Sequence, residues 1–107
     1  MASEKDYIAT RISYAMDLGG PSINVQSACS SGLVAIAQAA QSILSGSCEM
    51  AIAGAASLTF PNTGYLYEDN LVYSKDGHVR PFDKGAAGTT FGDAVGAGGT
   101  QLYVGLY

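Results

Sequence analysis

The chain has 107 residues and a mass of 10.9 kDa, the size of one small domain, which excludes two independent cores. Hydrophobic residues make up 48% of it and charged residues only 13%, which excludes intrinsic disorder because many side chains need burial. The net charge of −4 argues against binding to nucleic acids or anionic membrane surfaces. No apolar run approaches the ~20 residues of a membrane span, and no signal peptide is visible, so we expect a cytoplasmic protein.

The cysteine and histidine content limits the chemistry. Two cysteines, Cys29 and Cys48, are too few for a disulfide scaffold, and a single histidine, His78, leaves no cluster spaced to hold a metal. Gly96, Gly98 and Gly99 only weakly indicate a phosphate cradle, because neither G-x-G-x-x-G nor G-x-x-x-x-G-K-[ST] is present and no helix clearly follows. The 14 glycines indicate close approaches between backbones, as in the middle layer of a larger α/β protein.

The first predicted elements are a helix and a short strand. A capping box of Ser3 and Asp6 opens the helix, which we expect to end near Leu18, before the Gly-Gly-Pro stop of residues 19–21. Its apolar face has helical spacing and consists of Ile8, Ile12, Ala15 and Met16. The strand is predicted over Ile23–Ala28, where apolar and polar residues alternate.

A second helix follows Cys29-Ser30-Ser31-Gly32, and Gly46 is placed to end it as a left-handed cap. Its predicted buried stripe is Leu33, Ile36, Ala37, Ala40, Ile43 and Leu44, opposite a wetter side of Gln38, Gln41, Ser42 and Ser45. The segment Met50–Ala55 is apolar on both faces, typical of a strand covered by helices on both sides. Strand, helix and strand then form one βαβ unit with parallel strands.

The remainder of the chain has weaker patterns. Residues 60–84 contain many turn signals and are predicted to be mostly loop, with one helical turn near Tyr65–Asn70. Such a long irregular stretch is usually functional, or rests on parts of the fold outside this chain. The glycine-rich stretch Gly85–Gly99 predicts a kinked strand or hairpin. The predicted fold class is α/β.

Cys29 is the candidate nucleophile. It lies where a predicted strand ends and a helix begins, at the sheet edge where open α/β folds place their ligands. Unpaired N–H groups at the helix start favour thiolate over thiol, and they can bind the oxyanion formed when the sulfur attacks a thioester carbonyl. The small residues Ser30, Ser31 and Gly32 leave room for a long acyl carrier arm.

Other interpretations stay open at this point. A free cysteine usually packs as a small hydrophobe, which is how we interpret Cys48 and which is an alternative for Cys29. A Cys29–Cys48 disulfide is not expected in a reducing compartment. His78 could serve as a base for Cys29 in a hydrolase dyad, but a solvated or loop-pinning histidine is the commoner outcome in such a turn. The G-x-S-x-G motif of serine hydrolases is missing from the sequence.

Several motifs, in order and at matching spacing over about residues 4–97, resemble the β-ketoacyl synthase domain of modular type I polyketide synthases. They are Asp6–Tyr14, Gly20-Pro21-Ser22, Val25–Ser31, Ala53-Gly54-Ala55, Ser74–Asp83 and Gly88–Gly92. The resemblance implies a thiolase-like fold with α/β/α/β/α layers, of which residues 1–107 would be a partial domain. It favours polyketide over fatty-acid synthesis.

The resemblance also implies the chemistry. Cys29 would accept an acyl group from a phosphopantetheine arm of an acyl carrier protein, and decarboxylative Claisen condensation with a malonyl-type extender would follow. The family normally forms homodimers, with the strand at Ile23–Ala28 near the two-fold axis. No metal and no bound cofactor is implied.

Departures from the family lead to an expectation about competence. The family uses two further histidines and a lysine downstream of the nucleophile, and His78 matches neither histidine. Residues 98–107 differ from the usual aliphatic run. We therefore expect a truncated synthase fragment that does not complete the reaction alone. The alternative is a non-catalytic structural or dimerising fragment.

Overall fold

The computed structural model describes residues 4–61 and 63–101. They form two units: the described part of the first comprises residues 4–55 and 96–101, and the second is Ala56–Val95. The helices are α1 (Ile8–Ala15) and α2 (Ser31–Leu44), and the strands are β1 (Met50–Ser57) and β2 (Ala94–Gln101). Within these residues, no helix combines the length and hydrophobicity that crossing a membrane requires.

Helix α1 starts later than predicted and is capped from a distance. A 3-10 turn, Lys5–Tyr7, precedes it. The side chain of Asn24 accepts a 3.0 Å hydrogen bond from the Ala9 N–H and donates to the Asp6 carbonyl, which satisfies donors and acceptors at the helix start. The predicted cap residue Ser3 lies outside the described residues.

Both helices end on a residue in the left-handed conformation. In α2 this residue is Gly46, with φ of +77°, and the Ser47 N–H bonds to the Ser42 carbonyl at 2.9 Å in a Schellman motif. The predicted cap at Gly46 is therefore confirmed. In α1 the corresponding residue is Asp17, with φ of +54°, so the chain leaves this helix before the Gly-Gly-Pro segment predicted to stop it.

The two strands pair in a two-stranded sheet. Gly54, in the second half of β1, lies against Gly96 and Ala97 in the first half of β2. Met50, at the start of β1, lies beside Gly99–Gln101 at the end of β2. The two strands therefore run in opposite directions, and the pairing is antiparallel. The predicted glycine-rich strand is confirmed, although it begins only at Ala94. Its small residues allow the two backbones to approach closely at Gly54.

Helix α2 packs on one face of β1 near its first turn. A Cβ placed on Gly32 would lie 3.3 Å from the Ala55 Cβ, so the helix start and the strand are nearly in contact. Ala51 and Ala53 are half-buried on that same face of β1, because alternate residues of a strand share a face. Small side chains on both elements permit this close approach.

The predicted parallel βαβ unit is not formed within the described residues. Residues 21–27 have no strand assignment, and Ala28 belongs instead to a 3-10 turn, Ala28–Ser30. A strand exists only as part of a hydrogen-bonded ladder, and β1 takes β2 as its neighbour rather than Ile23–Ala28. Local alternation indicated extended backbone but not its partner.

The predicted buried face of α1 is wrong for these residues, and that of α2 is confirmed only at Ile43, which is buried, and at Ala40, which is half-buried. In α2, Ile43 is only 6% exposed, but Leu33 is 75% exposed, and Ile36, Ala37 and Leu44 are exposed as well. In α1, Ile8, Ile12, Ala15 and Met16 are all exposed. A two-stranded sheet cannot cover two helices, so most of the large aliphatic side chains of α1 and α2 stay exposed in the described residues.

The second unit is mostly irregular. A single parallel bridge joins Tyr73 and Thr89, and the ring of Tyr73 stacks on Tyr65 with centroids 4.5 Å apart. Phe91 meets Tyr73 edge to face at 5.4 Å. The predicted helical turn at Tyr65–Asn70 has no helix assignment, and its nearest backbone hydrogen bond is a 3.4 Å turn contact from the Leu71 N–H to the Glu68 carbonyl. The Tyr65 hydroxyl donates to the Ser74 carbonyl at 2.5 Å.

The close approach at Gly54 leads to the first testable prediction. In Gly54→Ala, the new Cβ would lie 2.6 Å from the Gly96 carbonyl oxygen and 3.0 Å from the Ala97 Cβ. We expect the free energy of unfolding to fall by about 1–3 kcal/mol, as for other overpacked sites, in a denaturant titration.

Gly98→Ala is the matched control, because its Cβ would have no atom within 4 Å. A change of under about 0.5 kcal/mol is expected there. Equal losses in the two variants would contradict the close packing of the strands at Gly54.

Candidate functional site

Cys29 lies in the 3-10 turn Ala28–Ser30 that leads directly into α2. It is a free cysteine and its side chain is exposed. The position at a helix start agrees with the prediction, although the preceding residues form a turn rather than the end of a strand. A nucleophile placed here is accessible to a substrate that approaches from solvent.

The turn contains a backbone conformation that alanine rarely adopts. Ala28 has φ of +48°, in the left-handed region where a Cβ is crowded by the following carbonyl. This conformation stands immediately before Cys29, at the first residue of the 3-10 turn. Backbone strain of this kind persists only where surrounding contacts hold it, and it concentrates at functional sites.

Three serines supply those contacts. The Ser31 hydroxyl accepts the Ser27 N–H at 2.9 Å and donates to the Ala28 carbonyl at 2.8 Å. Ser30 donates to the Ser27 carbonyl at 2.8 Å, and its oxygen lies 2.7 Å from the Ser27 hydroxyl. The sequence analysis used only the small size of Ser30 and Ser31, and it missed the hydrogen bonds of all three serines. Their close spacing, typical of serine side chains that bond to nearby backbone, was the available signal.

The start of α2 also presents backbone donors. Ser30 occupies the N-cap position, but its side chain makes no capping hydrogen bond to the helix. The Ser31 N–H bonds to the Ala28 carbonyl of the preceding 3-10 turn, and the N–H groups of a helix start together carry partial positive charge. Together with the adjacent thiol, they can stabilise an anion that develops on a carbonyl oxygen attacked at Cys29.

Cys48 has a different environment. It is a free, half-buried cysteine just before β1, and its Cβ lies 3.9 Å from where a Gly20 Cβ would stand. Both cysteines are unpaired, and no disulfide joins them. Cys48 therefore differs from Cys29 in exposure and does not precede a helix.

His78 is held within its own loop. Its Nδ1 lies 2.9 Å from the Asp76 carbonyl oxygen, and its N–H donates to the Asp76 carboxylate at 3.1 Å, while its side chain is 73% exposed. These contacts give His78 a part in the loop's own hydrogen-bond network.

Asp76 is the centre of that loop. Its carboxylate accepts both terminal nitrogens of Arg80, at 2.8 and 3.3 Å, and the hydroxyl of the fully buried Ser74 at 2.8 Å. Hydrogen bonding from Arg80 is the main cause that holds the pKa of the Asp76 carboxyl far below its usual range, and Ser74 and the His78 N–H add to it. The pKa of Arg80 is correspondingly raised by its hydrogen bond to Asp76.

The described residues contain no group of three or more histidine, cysteine, aspartate or glutamate side chains placed to hold a metal ion. What the site does offer is one exposed thiol, a rigid turn and a helix start. This set fits nucleophilic attack on an electrophilic carbonyl.

Comparison with known proteins identifies related sequences. The family model for the β-ketoacyl synthase N-terminal domain matches residues 1–98. The chain is 53% identical over 97 residues to a phenolphthiocerol/phthiocerol polyketide synthase from Mycobacterium tuberculosis, covering 90% of this chain and 6% of that protein. It is 45% identical over 93 residues to a highly reducing polyketide synthase of Gibberella zeae, covering 86% of this chain and 4% of that protein.

Solved structures agree with these sequences. Ketosynthase twelve of the bacillaene polyketide synthase from Bacillus amyloliquefaciens superposes with a TM-score of 0.78 at 40% identity, over 88% of this chain and 17% of that one. The ketosynthase from module 1 of the bacillaene synthase gives a TM-score of 0.77 at 35% identity, over 91% of this chain and 17% of that one. The fold is therefore that of a ketosynthase segment, and the chain spans about a sixth of the solved ketosynthases.

The left-handed Ala28 leads to the second testable prediction. Ala28→Gly should raise the free energy of unfolding by about 0.5–1 kcal/mol, because glycine adopts a positive φ without the Cβ clash. Ala35→Gly, the same change inside α2, should lower it by about 1 kcal/mol. Denaturant titrations of both variants measure whether the free energy of unfolding rises or falls in each. A loss in both would show that Ala28 is not strained.

The Asp76–Arg80 pair leads to the third prediction. Because the pKa of Asp76 is depressed in the folded chain, its contribution to stability is present above about pH 3.9 and is lost as the pH falls through the depressed value. Arg80→Gln should raise the titration midpoint of the Asp76 carboxyl, followed by carbon-detected NMR.

Lys84→Gln removes a positive charge from the same unit without removing any of the hydrogen bonds of Asp76, so it is the control. In Lys84→Gln, the titration midpoint of the Asp76 carboxyl should be the same as in the parent chain. An unchanged midpoint in Arg80→Gln would rule out the ion pair as the cause.

Proposed function

Because the chain belongs to the β-ketoacyl synthase family, through the N-terminal domain of that family, we propose that it is the nucleophile-bearing segment of a ketosynthase in a modular type I polyketide synthase. The observation that carries this proposal is Cys29, exposed in a strained turn at the start of α2. For the whole domain we propose the layered α/β/α/β/α fold, in which further elements cover the apolar faces of α1 and α2.

The first half of the proposed reaction is acyl transfer. The Cys29 sulfur attacks the carbonyl carbon of an acyl thioester on the phosphopantetheine arm of an acyl carrier protein, and a new C–S bond forms. The carbonyl oxygen becomes an oxyanion, which the N–H groups at the start of α2 stabilise. Collapse of this intermediate breaks the original C–S bond. The carrier thiol leaves with the proton lost from Cys29, and the acyl group stays on Cys29.

The second half is condensation. A malonyl-type extender on an acyl carrier protein loses carbon dioxide, and the electron pair of the broken bond forms an enolate carbanion. This carbanion attacks the acyl carbonyl on Cys29, a C–C bond forms, and the Cys29 sulfur leaves and is regenerated. The histidines that the family uses here lie downstream of the matched segment, so we expect no carbon dioxide release by the 107 residues alone. The acyl carrier protein, a homodimer and a cytoplasmic location belong to the same proposal.

A non-catalytic dimerising segment is the alternative. The observation that favours it is the set of exposed aliphatic side chains on the two helices, which a second copy could cover. In that case Cys29 would need no special reactivity. The reactivity of Cys29 relative to Cys48 therefore separates the two functions.

The fourth prediction tests the catalytic proposal. The chain is incubated with an acyl N-acetylcysteamine thioester, which mimics the end of the phosphopantetheine arm, and digested for peptide mass spectrometry. We expect the acyl mass on the Cys29 peptide, no acylation in Cys29→Ala, and retained acylation in the control Cys48→Ala. With iodoacetamide near neutral pH, Cys29 should react roughly tenfold faster than Cys48. Equal labelling of both cysteines without acyl transfer would favour the alternative.

A further inference from the structure

The hydrogen bonds of Ser31 span the strained residue next to the nucleophile. The Ser31 hydroxyl accepts a hydrogen bond from the N–H of Ser27, the residue that precedes Ala28, and donates one to the carbonyl of Ala28 itself. One oxygen atom thus bonds to the backbone both before and after the left-handed φ of Ala28, and the Ala28 carbonyl also accepts the backbone N–H of Ser31. By contrast, the contacts of the Ser30 side chain are with Ser27 and lie before Ala28.

The hydrogen bond from Ser31 to the Ala28 carbonyl affects Cys29 because this carbonyl is part of the peptide bond that joins Ala28 to Cys29. That carbonyl and the Cys29 N–H belong to the same planar peptide unit. A hydrogen bond that fixes the direction of the carbonyl therefore also fixes the orientation of the Cys29 N–H and of the N–Cα bond of Cys29. An alanine released from its contacts favours the right-handed or extended regions, which would rotate this plane. The direction of the Cys29 side chain relative to the first N–H groups of α2 would change with it.

We propose that Ser31 is a positioning residue for Cys29: its hydroxyl holds Ala28 in the left-handed conformation and so sets the thiol beside the helix amides. The inference rests on the proposed function, because it assumes that Cys29 is the nucleophile. It assigns Ser31 no contact with substrate. Ser31 acts only through its hydrogen bonds to the backbone of Ser27 and Ala28.

The test compares variants that keep or remove the hydroxyl. Ser31→Val and Ser31→Thr have nearly the same shape, but only threonine retains the oxygen, and Ser31→Ala removes the oxygen without added bulk. The control is Ser45→Ala, which deletes a serine hydroxyl bonded to the Ser42 carbonyl at the other end of α2. The readout is the ratio of the iodoacetamide rate at Cys29 to that at Cys48, with helix content followed by circular dichroism.

We expect Ser31→Ala and Ser31→Val to lower the ratio by about tenfold, as loss of a bridging hydrogen bond permits, with the Cys48 rate unchanged. Ser31→Thr should restore the ratio to within about twofold of the parent chain, and Ser45→Ala should leave it there. Acyl transfer to Cys29 should follow the same order. Rescue by threonine is the result that a general loss of stability would not give.

Three results would overturn the proposal. The first is an unchanged ratio in folded Ser31→Ala and Ser31→Val. The second is a Ser31→Thr chain that reacts as slowly as Ser31→Val. The third is unfolding of both hydroxyl-free variants, which would make Ser31 a folding residue. Failure of the proposed function is distinct, because the unsubstituted chain would then already show equal rates at Cys29 and Cys48.

Discussion

The left-handed conformation of Ala28 is the constraint on which the site depends. It opens the 3-10 turn that contains Cys29 and leads directly into α2. The hydroxyl of Ser31 stabilises the turn from the helix side. Gly32, one residue later, allows the same helix start to lie against Ala55 of β1. Turn, helix start and strand are therefore coupled through two consecutive small residues, Ser31 and Gly32, close to Cys29.

The parts of the fold that the sequence predicted are those with local causes. The end of α2 at Gly46 and the glycine-rich β2 follow from backbone preferences that a few neighbouring residues express. The strand predicted at Ile23–Ala28 failed because a ladder needs a partner, and alternation does not name one. Asn24 instead caps α1, a contact across 15 positions that no local pattern contains.

The candidate site was predictable to a similar degree. The position of Cys29 just before a helix was predictable, because a cysteine followed by small residues and an apolar helical stripe has a recognisable sequence setting. Its role as a nucleophile stays a prediction. The role of Ser31 and the strain at Ala28 depend on φ and on hydrogen-bond partners, which residue types alone do not reveal. The helix faces failed for a different reason: Leu33 and Ile36 have the pattern of core residues, yet the described residues do not cover them. Their pattern fits the layered domain proposed above.

The antiparallel pairing of β1 with β2 has a consequence for how the chain tolerates change. Residues 58–93 leave from one strand and return to the other, and the Thr59 N–H bonds to the Asp93 carboxylate at 2.7 Å where the two ends meet. The entropy lost in closing such an excursion grows only logarithmically, by about 0.6 kcal/mol for each doubling of its length. A moderate change in the length of this excursion would therefore alter the closure entropy of the sheet by only a fraction of that amount, whatever it does to the contacts inside the excursion.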